Sequence, residues 1–218
     1  CWTTSWGVST RMMGGLIMCH GDDQGIRVPP RVAGVQAVVM VVRDDDAGSV
    51  TNAARRLVEE LTGAGVRARL DAEVSTAFGR RATDWELKGV PVRVELGPRD
   101  VEGGEATTVR RDQAGKFTLP LGEVAGRVPG LLAEIQESLL AEATSRLEGG
   151  TAEASTVEEA IEAAKVGFAR VPFDLLGEEG EDRLAAESIT VRCLQTADGE
   201  VPDDGSVPGL TAIVARAY

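Results

Sequence analysis

The chain has 218 residues, 43% of them hydrophobic and 27% charged, which excludes a disordered or fibrous protein and allows one or two compact units. No apolar run approaches the ~20 residues that cross a bilayer, and the N-terminus has no basic start followed by an apolar core, so neither a membrane span nor a signal peptide is read. A formal charge of −12, taken alone, argues against a nucleic-acid partner, and Cys1, Cys19 and Cys193 lie too far apart for a disulfide framework or a paired metal site, leaving a reducing cytoplasm as the default compartment.

In chain order, residues 1–9 (CWTTSWGVS) read as extended and residues 10–20 (TRMMGGLIMCH) as a short, mostly apolar helix. A strand entering a helix so early has no neighbour to pair with, the pattern expected where a chain begins inside a larger sheet. Residues 20–25 (HGDDQG) are turn-rich, and Pro29-Pro30 forces an extended exit. From Val35 the pattern alternates. Residues 35–42 (VQAVVMVV) have the length and β-branching of a buried strand. Val50, Ala53, Ala54, Leu57, Val58 and Leu61 recur at helical spacing, and Gly63 and Gly65 end that helix. A strand at 66–70, a short helix at 79–89 and a strand at 92–96 follow, the last closed by Gly97-Pro98. Residues 107–111 and 117–119 form a hairpin across 112–116, and 121–147 is helical apart from an interruption at Val128-Pro129-Gly130. This order implies a mixed sheet carrying helices, an α/β fold.

Residues 148–155 (EGGTAEAS) read as a linker, and Thr156-Val157-Glu158-Glu159 opens a helix with a capping-box pattern, Ser155 offering a second cap. An acidic helix near 181–187, a strand at 189–194, a turn-rich loop at 198–209 and a strand at 210–217 complete the chain. Charge is uneven along it. Residues 80–116 carry eight basic and seven acidic side chains, so the negative excess lies elsewhere, much of it between Glu134 and Glu187.

Four stretches carry a resemblance: TSWGVSTR at 4–11 with GGLIM at 14–18 and HGDD at 20–23, VPPRVA at 28–33, WELKGVPVRVELGPRD at 85–100, and ARAY at 215–218. In this order and spacing the chain resembles prolyl-tRNA synthetases of the branch shared by archaea, eukaryotes and some bacteria. The resemblance implies the C-terminal portion of a class II synthetase. Residues 1–32 would be the end of the catalytic domain with its motif 3, 33–135 a mixed-sheet anticodon-binding domain with helices on its faces, and 136–218 a small α+β C-terminal domain. The implied reaction joins L-proline to tRNA(Pro) at the expense of ATP, through prolyl-adenylate, in a cytoplasmic homodimer. Motifs 1 and 2 are not found, so this chain by itself is expected to be inactive.

The resemblance also implies roles. Arg11 matches the motif 3 arginine, whose permanent planar cation would stabilise charge shifting on the ATP phosphates, and Ser9 lines the same nucleotide site. Thr3 departs from the glutamine usual there. Magnesium would be held mainly by the phosphates and by acids outside this chain. Read alone, His20, Asp22 and Asp23 are a turn with solvated carboxylates rather than a metal site, and the family keeps HGDD as a structural connection.

Glu86, Arg93, Asp100 and Lys116 match positions that contact the two guanines ending the proline anticodon. Guanine offers acceptors suited to Arg or Lys, and N1–H and N2–H donors suited to a carboxylate. The lysine match needs one inserted residue in the hairpin. Trp85 is read either as a base-stacking ring or as packing. Tyr218 is read either as a terminus folded back toward an active site or as a frayed end. Many relatives hold zinc through four cysteines. The matching regions, 173–179 (FDLLGEE) and 201–209 (VPDDGSVPG), contain no thiol and Cys193 matches a cysteine that is not a ligand, so no zinc is expected. Two rival readings stay open: a stand-alone anticodon-domain RNA-binding module without catalysis, and a non-functional relic.

Overall fold

The structure, a computed structural model, describes residues 3–45 and 47–217. The chain divides into two compact units between Leu140 and Ala141. The first opens with helix α1 (Arg11–His20) and a two-stranded antiparallel ribbon, β1 (Gly21–Asp22) and β2 (Gly25–Ile26). Strand β3 (Ala37–Val41), helix α2 (Ser49–Gly63), strand β4 (Ala68–Asp71), helix α3 (Phe78–Leu87) and strand β5 (Val92–Leu96) follow. Then come helix α4 (Pro98–Gly103), strands β6 (Glu105–Arg110) and β7 (Phe117–Pro120), and helix α5 (Val124–Gly149), which contains the division.

The five strands of this unit stand in the order β4-β3-β5-β6-β7. The first three are parallel, while β6 and β7 each run antiparallel to the strand before. Parallel neighbours need a helical crossover. Here the two crossovers cover opposite faces. One face packs Val39, Val41, Val92 and Val94 with Leu57 and Leu61 of α2 and Val128, Leu131 and Ile135 of α5. The other packs Val38 and Met40 with Ala82 of α3, Val90, Phe78 and Trp85. Burial on both sides explains why 35–42 reads as a continuous apolar run.

The second unit is a four-stranded sheet ordered β10-β11-β9-β8, formed by β8 (Thr151–Glu153), β9 (Phe168–Pro172), β10 (Ile189–Gln195) and β11 (Thr211–Arg216). Helices α6 (Val157–Ala164) and α7 (Gly177–Ala186) bury Ala160, Ala164 and Leu184 with Ala169, Val171, Ala212 and Val214.

Several expectations are corrected. The helix at 121–147 is not interrupted: α5 runs through Pro129. A proline removes one donor and strains one carbonyl, and burial of Val128, Leu131, Leu132, Ile135 and Leu139 along one stripe outweighs that cost. Gly97-Pro98 does close a strand, but it also opens α4, with Pro98 in the first turn, where its missing N–H is not needed. The supposed linker contains β8, which pairs in parallel with β9, a strand the sequence reading omitted. At the start of α6, Thr156 Oγ1 accepts from the Glu159 N–H at 3.2 Å, while the Glu159 carboxylate accepts from the Ser155 N–H at 2.8 Å, one residue earlier than a strict capping box. The expected boundary at 135/136 and the division between the two units at 140/141 both lie within α5.

Candidate nucleic-acid interface

Strand β5 separates packing from chemistry by alternation. Successive side chains of a strand point to opposite faces. Val92, Val94 and Leu96 enter the larger core. Arg93 and Glu95 fall on the other face, in register with Val38 and Met40 of β3. Glu95 is 4% exposed, yet it is paired twice: Oε1 accepts from Arg93 Nε at 3.0 Å, and Oε2 meets Lys116 Nζ at 2.7 Å. A buried carboxylate without such partners would be costly.

Helix α3 is fastened to the same face by polar contacts. The buried Arg81 donates from Nη1 to Asp71 Oδ1 at 2.7 Å, from Nη2 to the Val41 carbonyl at 2.7 Å, and from Nε to the Thr76 carbonyl at 3.1 Å. Trp85 Nε1 donates to Asp71 Oδ2 at 2.6 Å. Burial pushes the Asp71 carboxyl up, but the bonds from Trp85, Arg81 and the Glu73 N–H together outweigh it and hold the group below the usual carboxylate range. Lys88 Nζ stands 4.6 Å and the Arg69 guanidinium 5.5 Å from the centre of the Trp85 ring. Of its two readings, Trp85 takes the packing one here: its N–H is bonded and its ring is flanked by cations.

The end of α3, the ribbon β1–β2 and the loop from Arg110 to Lys116 surround a cavity of about 380 Å³. Its lining includes Asp22, Gln24, Glu86, Arg93, Arg111 and Lys116. Two glycines let the ribbon approach. Gly89 has φ +70°, and a Cβ there would lie 2.4 Å from the Ile26 carbonyl oxygen; at Gly25, φ +124°, it would lie 2.6 Å from Leu87 Cα. The ribbon is then locked by Arg111, whose Nη1 and Nη2 donate to the Asp22 carboxylate at 2.9 and 2.5 Å while Nε donates to the Glu86 carbonyl at 3.3 Å. The Arg111 bonds hold the Asp22 carboxyl below its ordinary range. This bidentate pair corrects the reading of Asp22 as a solvated turn carboxylate.

Arg110 is likewise committed. It grips Asp112 with Nε and Nη2 at 3.0 and 2.8 Å and Glu134 with Nη1 at 2.8 Å, contacts that strengthen its positive charge. Two of the cavity's cations are therefore spent on neighbours. The half-buried Glu86 carboxylate has no hydrogen bond or ion pair among the described residues, and Arg93 uses only Nε. What the cavity offers a ligand is one free carboxylate acceptor opposed by the donors of Arg93 and Lys116.

Three of the four residues read as anticodon contacts, Glu86, Arg93 and Lys116, thus meet at one cavity. Asp100 is not among its lining residues. Its carboxylate accepts from the Gly97 N–H at 2.8 Å and caps α4. Glu95, Asp22, Arg111 and Gln24 were not singled out for this cavity; the i, i+2 spacing of Arg93 and Glu95 on a strand was the available signal for Glu95. Ser9 and Arg11 are exposed, Arg11 opens α1, and that helix buries no residue. The Tyr218 reading lies outside the described residues. Residues 173–179 form a 3-10 turn and the start of α7, and among the described residues no group of three or more His, Cys, Asp or Glu side chains is placed to hold a metal ion.

Residues 36–131 match the family model described as "Anticodon binding domain". The whole chain is 56% identical to a proline–tRNA ligase of Frankia alni and 50% identical to proline–tRNA ligase 2 of Streptomyces avermitilis. It is 44% identical, over 99% of its length, to a proline–tRNA ligase of Rubrobacter xylanophilus. In each case the chain spans 46% of the relative's length. From end to end the chain is similar to proline–tRNA ligases, and residues 36–131 are similar to anticodon-binding domains.

Proposed function

We propose that this chain is the C-terminal part of a proline–tRNA ligase of the branch shared by archaea, eukaryotes and some bacteria, and that the Glu86–Arg93–Lys116 cavity reads the guanines of the proline anticodon. The observation that carries the second claim is the unpaired Glu86 carboxylate facing a cavity it shares with Arg93 and Lys116. A carboxylate accepts the N1–H and N2–H of guanine, and forked or point cations serve O6 and N7. Adenine presents an unprotonated N1 to the carboxylate and is disfavoured. Single-stranded loop bases are accessible to such edge reading. The similarity over the whole chain supports the first claim.

Within that ligase, Arg11 and Ser9 belong to the ATP site, Tyr218 to a terminus returning toward it, and magnesium accompanies the nucleotide. L-proline, ATP and tRNA(Pro) are the substrates, the C-terminal unit is zinc-free, and the enzyme is a cytoplasmic homodimer. Asp100, which holds α4 with one carboxylate oxygen, is the fourth residue assigned to the anticodon.

The test uses the 218-residue chain and a stem-loop RNA whose anticodon ends in two guanines, read by fluorescence anisotropy. Replacing either guanine by adenine should weaken binding about tenfold or more, and Glu86→Ala or Arg93→Ala should abolish most of that preference. Equal binding of guanine and adenine RNAs by the unaltered chain would sink the reading. Proline-dependent ATP–pyrophosphate exchange by this chain would refute the expectation that activation needs segments outside it.

A further inference from the structure

The two donors assigned to guanine come from separate elements, Arg93 from the second position of β5 and Lys116 from the loop before β7. Both side chains turn on several single bonds. Nothing in the sequence of either element fixes them relative to each other. They meet on Glu95. We propose that Glu95 is the positioning residue of the cavity: its buried carboxylate gathers the two cations into one donor set and sets the cavity's charge for reading bases rather than phosphates. This rests on the anticodon reading above.

Three observations support it. First, the pairing divides Arg93 usefully. Glu95 Oε1 takes Nε at 3.0 Å, and the two Nη groups make no hydrogen bond among the described residues, so the fork left over is the part suited to an acceptor edge. Second, the Lys116 side chain is 53% exposed while the Glu95 side chain is 5% exposed. The lysine therefore reaches from a surface loop onto a buried acid, and no other carboxylate among the described residues pairs with it. Third, the charges balance. Arg93 and Lys116 contribute two positive charges, Glu95 and Glu86 two negative ones. Arg110, Arg111 and Arg27 are matched by Asp112, Glu134 and Asp22. A cavity with no net charge has little attraction for a phosphate and must select by hydrogen-bond pattern. Without the Glu95 charge the site becomes positive, and its two donors lose their common anchor.

The experiment uses the 218-residue chain, the same stem-loop RNAs, and the affinity ratio of guanine over adenine as readout. Glu95→Gln keeps the shape but removes the charge. We expect the ratio to fall roughly tenfold, while binding to the adenine RNA holds or rises and becomes more salt-dependent. Glu95→Asp should recover part of the ratio. In an Arg93→Ala, Lys116→Ala background Glu95→Gln should change little further, because its effect runs through those two side chains. Thermal unfolding is followed for every variant. An undiminished ratio in Glu95→Gln, equal losses for both RNAs tracking a lowered melting temperature, or a full effect persisting in the double-variant background would each overturn the proposal. Loss of the ratio on Glu86→Ala with retention in Glu95→Gln would remove this inference and leave the anticodon reading standing. Indifference of the ratio to Glu86→Ala would remove the parent reading.

Discussion

Asp71 and Glu95 are both carboxylates on the α3 side of the central sheet, and each is held by two side-chain donors. The donors differ in kind. Asp71 is tied to Arg81, itself buried, and to the Trp85 indole, neither of which is available to a ligand. Removing one member of a buried pair strands the other, at about 3 kcal/mol. Asp71→Asn should accordingly lower the stability of the first unit by about that amount in urea unfolding, without altering the guanine preference at temperatures where the chain is folded. The same residue sets an acid limit. Its folded pKa lies below the ordinary value of 3.8, so its contribution is fully present above the unfolded pKa and is lost as pH falls through the folded one. Between pH 5 and 7 the Asp71 contribution should be flat. Below about pH 4 the wild-type midpoint should fall more steeply than that of Asp71→Asn, and parallel acid curves for the two would contradict this account.

At the scale of elements, the ribbon β1–β2 reaches α3 only because two positions lack a side chain. Gly89→Ala puts a methyl against the Ile26 backbone at a positive φ, a strain expected to cost about 1–3 kcal/mol. It should also loosen the Asp22–Arg111 pair and raise hydrogen exchange at residues 21–26. An unchanged exchange pattern would mean the ribbon is held some other way. The strands and helices of the first unit were largely legible, because β3 is buried on both faces and α2 carries an unbroken apolar stripe. What was missed has local causes. α4 hides behind a Gly-Pro that also ends a strand, and β8 and β9 are short and carry Thr151, Glu153 and Arg170, which read as loop. The site was legible as residue types: Glu86, Arg93 and Lys116 do converge. It was not legible as a network, since which arginines are already paired depends on contacts across 89 residues for Arg111–Asp22 and 24 for Arg110–Glu134. Asp100 was legible as a carboxylate, but its bond to the Gly97 N–H was not, since that depends on Gly97-Pro98 opening a helix.

For the molecule as a whole, charge is segregated. Residues 141–218 contain 16 acidic and 6 basic side chains, and residues 1–140 contain 19 and 17. RNA is therefore expected to engage the first unit through few phosphates. The slope of log K against log salt should be shallow, at about −0.7 for each phosphate neutralised on a single strand. Arg69 and Lys88, flanking Trp85 without acidic partners among the described residues, are the cations placed to make such contacts. Lys88→Gln should weaken guanine and adenine RNAs alike and reduce the slope by about 0.7, and an unchanged slope would exclude it. The interleaving of side chains along β5 has a consequence of its own. Valines for the oily interior and ions for the ligand occupy alternate rungs of one strand, so a misalignment of a single rung would thrust Arg93 and Glu95 inward and turn Val92 and Val94 toward the cavity. Such a molecule is penalised by its own interior before any ligand arrives, and the placing of Arg93 and Glu95 is thereby guarded by the energetics of folding.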